Sequence, residues 1–364
     1  MQTGDGLLAR LRIAGGQLSP AQLAEIARLA ALHGNGLVEI TARGNLQVRG
    51  LNAVATPAFA AAVRKTVEIE DGLVVETPPL AGLDPDEIAD PSALAAAIAR
   101  LAAPLADRLG PKVTVVVDGS GQITRRALKA DIRLTASTPD RWTLAIADQT
   151  QAELGSAEAP AAVLLILQRL ADLGPTARGT DLVPAGGPGN PGSMLPIARF
   201  MLRHGTATGL ALPFGASDAA TLIALTQLAE RHGIAQFRLA PHHALLAMDA
   251  PEAFATEASS LGFITDPSDP RLRVSACIGS AGCASGHIAA RAIAETLSPS
   301  LPAGRQLHVS GCAKGCAHPR RAEVTLVGRA DGYGLVINGT AGDTPRAVLR
   351  MDDESALAAA IRQG

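Results

Sequence analysis

Hydrophobic and polar positions near the start of the chain follow two different periods. From Leu7 to Ile13, Leu11 and Ile13 lie opposite Arg10 and Arg12. From Leu37 to Arg49, Val38, Ile40, Leu46 and Val48 fall on one face and Glu39, Thr41, Arg43, Asn45, Gln47 and Arg49 on the other. A two-residue period is that of a half-buried strand, so each stretch is expected to be one. Between them Leu23, Ile26, Ala27 and Ala30 recur at helical spacing, predicting a helix from Ala21 to Leu32. Ser19 and Pro20 supply its N-cap and first position, and His33-Gly34 ends it.

The same text returns later. Ala220 to Gly233 lies over Ala21 to Gly34 without a gap, with identities at Ala21/Ala220, Leu23/Leu222, Leu29/Leu228, Ala30/Ala229, His33/His232 and Gly34/Gly233. A self-match at so long a period points to duplicated domains. Downstream, an Ala-rich helix from Ala89 to Leu109 leads into a strand, Lys112 to Asp118, and a helix from Gly286 to Leu297 leads into another, Gln306 to Val309. The expected class is α/β (α+β), internally duplicated. Residues 175–196 are rich in Pro and Gly and read as a linker. Gly187 to Gly192 there matches G-x-G-x-x-G, but its prolines forbid the helix that a dinucleotide site requires.

Composition narrows the function. A chain of 364 residues, 47% hydrophobic and 18% charged, is globular, with room for several cores. A net charge of −2 and 2% aromatics give no basis for a nucleic-acid partner. No apolar run is long enough to span a membrane, and Met1 to Gly6 lacks the basic-then-apolar pattern of a signal. The expected compartment is the cytoplasm, where thiols stay reduced.

All four cysteines sit in one region, as C-x5-C (Cys277, Cys283) and C-x3-C (Cys312, Cys316). Four thiolates suit a cubane iron–sulfur cluster, one per iron. A four-cysteine zinc site normally uses closer pairs, which C-x5-C fits poorly. Two disulfides or buried free thiols are the remaining readings. Arg10, Arg12, Arg43 and Arg49 crowd neighbouring strands, either as a solvated face or as a floor for a polycarboxylate, which Arg binds bidentately. At the matching places of the second copy stand Gly209, Ala211, His242 and Met248. Charge in one copy and cysteines in the other suggest a site shared between them.

C-x5-C followed by Ser-Gly-Cys-x3-Cys resembles the nitrite and sulfite reductase superfamily. The run His308 to Pro319 is similar to that of its oxygen-using branch, the precorrin-3B synthases. The resemblance implies a 4Fe-4S cluster on Cys277, Cys283, Cys312 and Cys316. It implies two ferredoxin-like halves (residues 1–75 and 197–266), each followed by a cluster/tetrapyrrole-type α/β portion (76–174, without cluster, and 267–364, with it), in pseudo-twofold relation. Thr-x-Arg-x-Asn-x-Gln at residues 41–47 resembles a tetrapyrrole-binding strand, so Arg10, Arg12, Arg43, Asn45 and Gln47 would contact its carboxylates. Lys112 falls where the family brings a cation to the distal face, and Lys314 would shield the cluster or bind carboxylate. Arg291 reads as a solvated helix charge.

Two of the oxyanion-binding cations of a sulfite reductase are missing: Lys-x-Lys reads Lys112-Val-Thr114, and Leu73 to Pro79 replaces an expected Asn-Arg-Asn. That favours a tetrapyrrole as substrate over one as prosthetic group. The implied activity is O2-dependent hydroxylation of precorrin-3A with γ-lactone formation, in cobalamin biosynthesis. Its partners would be O2 and an electron donor, an NADH-linked reductase or a ferredoxin, and its cofactors the cluster and a mononuclear non-haem iron. The alternatives are a sirohaem-dependent sulfite or nitrite reductase and a non-catalytic electron carrier.

Overall fold

The computed structural model describes residues 2–184, 194–350 and 354–363; the G-x-G-x-x-G match lies outside them. The helix Pro20–His33 starts on a capping box, with the Ser19 hydroxyl accepting from Gln22 N–H and the Gln22 side chain accepting from Ser19 N–H. Its buried face (Leu23, Ile26, Ala27, Ala30) meets the helix Ala219–Arg231, whose Leu222, Leu225, Leu228 and Ala229 join it in one core. Alanines on the facing stripe let the two repeats approach closely. Burying each leucine or isoleucine there contributes about 1.5–3 kcal/mol.

The two helices cover two five-stranded sheets that exchange an edge. Gln17–Leu18 of the first repeat pairs with Phe237–Ala240 of the second, and Ala216–Asp218 of the second pairs with Leu37–Ile40 of the first. Leu18 faces Phe237, and Ser217 faces Val38. The same 199-residue offset that aligns the helices maps one exchanged pair onto the other. Residues 1–75 and 197–266 therefore interlock rather than merely touch.

One expected strand is in fact a hairpin. Leu37–Ile40 and Leu46–Leu51 pair antiparallel, with Val38 opposite Val48 and Ile40 opposite Leu46. Between them the Thr41 hydroxyl accepts from Arg43 N–H and Asn45 N–H, and Gly44 turns with φ 80°. Ile40 and Leu46 are an even number of residues apart, so the alternation runs through the turn in phase and hides it.

Each repeat continues into an α/β portion with one strand plan. Val74–Glu76, Thr114–Asp118 and Ile132–Thr138 run parallel, and Arg141–Ile146 and Gln149–Gly155 follow antiparallel. In the second copy Val274–Ala276, Leu307–Ser310 and Ala322–Arg329 run parallel, then Gly332–Gly339 and Ala347–Leu349 antiparallel. Parallel strands leave a crevice at their carboxyl ends, where ligands gather in open α/β sheets. Residues 175–184, the start of the Pro/Gly-rich stretch, pack on the first copy through Arg178, whose guanidinium pairs with Asp131 at 2.9 Å.

Candidate active site

All four cysteines stand at such strand ends. Cys277 directly follows Val274–Ala276, Cys283 lies past the short turn Gly279–Ala281, and Cys312 and Cys316 follow the neighbouring strand Leu307–Ser310. All are free thiols, and all border one cavity of about 930 Å³. Burial, together with the nearby thiols of Cys277, Cys312 and Cys283, pushes the Cys316 thiol above its usual pKa, while Lys314 opposes the shift. Thiols so placed resist ionising together unless cations share their charge.

The surroundings of the sulfurs fit a cluster. Gly311 N–H donates to the Cys277 sulfur at 3.1 Å, a contact of the kind that tunes iron–sulfur sites. A Cβ on Gly4 would lie 2.3 Å from the Cys283 sulfur, and Gly4 O accepts from Ala284 N–H. The first repeat thus closes over the cysteine loop and leaves the sulfur its space. Among the described residues no three His, Cys, Asp or Glu side chains form a site for a single metal ion. A cubane, with one iron per thiolate, uses sulfurs spread around it and does not need that convergence. Nor does any such group stand out among the described residues as ligands for a mononuclear iron.

The opposite walls come from the two ferredoxin-like repeats. Arg10, Gln47, Glu39 and Arg49 of the first border the cavity, as do His242 and His243 of the second and Arg271, Arg291 and Lys314 of the cysteine portion. Most of these cations already hold a carboxylate. Arg49 pairs with Asp5 at 2.8 Å and Glu39 at 3.3 Å, Arg291 with Glu39 at 2.6 Å, and Arg271 with Asp269 at 2.7 Å and Glu295 at 3.1 Å. Burial alone would lower the Arg49 pKa, yet Asp5 and Glu39 raise it. Arg10 and Lys314 differ: their partners are the neutral Gln47 carbonyl oxygen (3.1 and 3.0 Å) and the Ser285 hydroxyl (3.0 Å). Among the described residues neither has a carboxylate partner, so both can take an incoming anion without breaking an ion pair.

Comparison with known proteins fits this geometry. The nitrite/sulfite reductase ferredoxin-like half domain matches residues 1–66. A precorrin-3B synthase of Sinorhizobium sp is 39% identical over 99% of this chain and 85% of its own length. The chain belongs to the precorrin-3B synthase family. It is accordingly an oxidoreductase enzyme. Sulfite reductase (ferredoxin) 2 of Mycolicibacterium paratuberculosis is 30% identical over 38% of this chain and 28% of its own. The solved structure of Mycobacterium tuberculosis NirA protein matches with a TM-score of 0.71 at 19% identity, over 96% of this chain and 79% of that one, which establishes a shared fold.

In this member of the precorrin-3B synthase family the residues expected from sequence separate into two groups. Arg10, Gln47, Lys314 and the four cysteines meet at the cavity. Arg12, Arg43, Asn45 and Lys112 do not border it. The hairpin turn carries Arg43 away, where its guanidinium binds Glu76 through two bonds (2.9 and 2.7 Å) and donates to Lys129 O. Arg12 donates to Gly72 O at 3.1 Å, Asn45 sits in the turn, and Lys112 is exposed. Arg291 is a half-buried cavity residue rather than a solvated helix charge. Glu39, which binds Gln47, Arg49 and Arg291, and His243 were not singled out as site residues. For His243 a signal existed: it replaces Gly44 of the first repeat. His308 is fully buried beneath the Cys312–Cys316 loop, and burial first, then His318, brings its pKa down to about 4.

Proposed function

We propose that this enzyme is a precorrin-3B synthase-type monooxygenase of cobalamin biosynthesis, hydroxylating precorrin-3A with O2 and closing a γ-lactone. One observation supports the reading above others: four cysteines from one repeat share a cavity with uncommitted cations, Arg10 of the other repeat and Lys314. Cys277, Cys283, Cys312 and Cys316 hold a 4Fe-4S cluster, which when bound supplies single electrons to the cavity. Arg10 and Lys314 bind peripheral carboxylates of the macrocycle from opposite sides and fix its orientation, a positioning contribution. Gln47 holds the Arg10 guanidinium in place through its two bonds. Asp5 and Glu39 together neutralise Arg49 and Arg291, which keeps the middle of the wall from attracting carboxylates. Leu8, Ile40, Leu212 and Ile264 supply apolar walls that exclude water from the ring.

The loop bearing Cys316 is exposed, which gives an electron donor, an NADH-linked reductase or a ferredoxin, access to the cluster. No described helix is long and apolar enough to cross a membrane; the cytoplasmic reading rests on four reduced thiols, which that compartment preserves. The test is assay of anaerobically purified, cluster-loaded enzyme with precorrin-3A, a reductant and labelled O2. The expected product carries one added O2-derived oxygen atom and a lactone, and Arg10→Ala raises KM about tenfold, the loss of one charge-assisted contact of about 1.4 kcal/mol. A sirohaem absorption band in fresh enzyme, with sulfite or nitrite reduction and no oxygenated product, would overturn the reading.

A further inference from the structure

The cationic walls account for carboxylates but not for the wall formed by the turn after Phe237–Ala240. There His242 and His243 adopt φ of 59° and 64°, a left-handed conformation uncommon outside Gly, though His takes it more often than most side chains. The two repeats have the same hairpin register: Phe237 faces Ala247 as Val38 faces Val48, and Leu239 faces Leu245 as Ile40 faces Leu46. The 199-residue offset puts His243 on Gly44, which has φ 80°. The first repeat fills this place with the residue that its backbone suits. The second keeps a strained histidine there, at the cavity.

Its ring is fixed. His243 Nδ1 lies 2.6 Å from Ile40 O. A carbonyl only accepts, so Nδ1 carries the proton and, in the neutral ring, Nε2 carries a lone pair. Gly215 makes room for the ring, since a Cβ there would lie 2.4 Å from Nδ1. Nε2 has no protein partner among the described residues. The charged and titratable neighbours are Glu39 and Arg291, paired with each other, and His242. Burial lowers the His243 pKa, Arg291 adds to the effect, and the Ile40 carbonyl and Glu39 oppose it without reversing it.

At the cavity wall Glu39 is taken up by Arg49, Arg291 and Gln47, whereas His243 brings a fixed acceptor with no such partner, and an acceptor pairs with a donor, which a carboxylate is not. A tetrapyrrole carries donors in its ring N–H groups. We propose that His243 Nε2 accepts a hydrogen bond from a ring N–H of the bound macrocycle, setting its placement in the cavity while Arg10 and Lys314 hold its edge. This rests on the tetrapyrrole reading above.

The test is equilibrium binding of two probes to the cluster-loaded enzyme: free-base uroporphyrin and its copper(II) chelate, which keeps the carboxylates but lacks inner N–H groups. Wild type is expected to bind the free base about tenfold more tightly. His243→Gly, which copies the first repeat and so preserves the turn, should erase that preference without lowering thermal stability. His243→Asn, tolerant of the same backbone but too short to reach, should do the same. His243→Gln, whose amide oxygen can take the place of Nε2, should restore part of it. Arg10→Ala should weaken both probes equally. A preference that persists in the Gly and Asn variants, or is absent from wild type, overturns the role of His243 alone. Wild type binding neither probe overturns the tetrapyrrole reading itself.

Discussion

The two α/β portions share one strand plan but end it in opposite ways. In the second copy the carboxyl ends of Val274–Ala276 and Leu307–Ser310 carry thiols facing a cavity. In the first, the ends of Val74–Glu76 and Thr114–Asp118 are sealed by polar bonds. Buried Arg125 donates to Thr77 O, Arg43 O (2.9 Å) and Glu76 (3.2 Å). Asp118 accepts from Ser120 N–H and Arg125 N–H, and Asp84 accepts from Gln122. A duplicated crevice must be either filled by a ligand or satisfied internally, because buried polar groups left unpaired cost too much. Here the first copy is satisfied internally while the second opens on a cavity, and Arg43, which resembles a ligand-binding residue in sequence, became part of the seal.

The largest effect expected from breaking this contrast is in the cysteines. Cys312→Ser should leave the enzyme without its iron–sulfur absorption and lower turnover to background, while circular dichroism of the first copy stays unchanged. Retention of full iron and sulfide would count against the assignment. Arg125→Ala should do the reverse, keeping the cluster but destabilising the fold by about 1–3 kcal/mol, since it takes the donor from the Thr77 and Arg43 carbonyls while Arg43 still holds Glu76; chemical denaturation measures it. Gly4→Ala tests whether the first repeat shapes the cluster site. Its Cβ would meet the Cys283 sulfur, so iron content should fall several-fold while the apo-protein remains folded.

The smallest effect is a pH dependence confined to the sealed copy. Burial, and then the charges of Asp90 and Asp84, raise the Glu87 pKa from 4.5 to about 7 against the Gly82 N–H bond. A raised carboxyl pKa favours the protonated folded state, so stability is fullest below pH 4.5 and is lost as pH rises through about 7. Glu87→Gln should therefore raise the melting temperature at pH 8, by an amount equivalent to about 1 kcal/mol, and have no effect at pH 4. An equal gain at both pH values would show that the carboxyl does not titrate in that range.

Much of this was legible in the chain, for local reasons. Cysteine spacing, the capped amphipathic helix and the ungapped repeat depend on neighbours in sequence, and they gave four cysteines that meet at one cavity, the helix and the duplicated plan. The hairpin was not legible, because a turn with an even offset preserves strand alternation. The exchange of Gln17–Leu18 and Ala216–Asp218 left no signal either, as strands of two or three residues carry no periodicity.

By itself, then, the sequence determined which chemistry was available: four thiols, a surplus of arginines, two copies of one unit. Which arginines serve the cavity was a matter of tertiary structure. Arg10 and Arg43 look alike in the pattern, yet one ends beside neutral Gln47 and the other against Glu76. A charge is free for a ligand only if no carboxylate has folded against it, and that partner comes from a distant part of the chain.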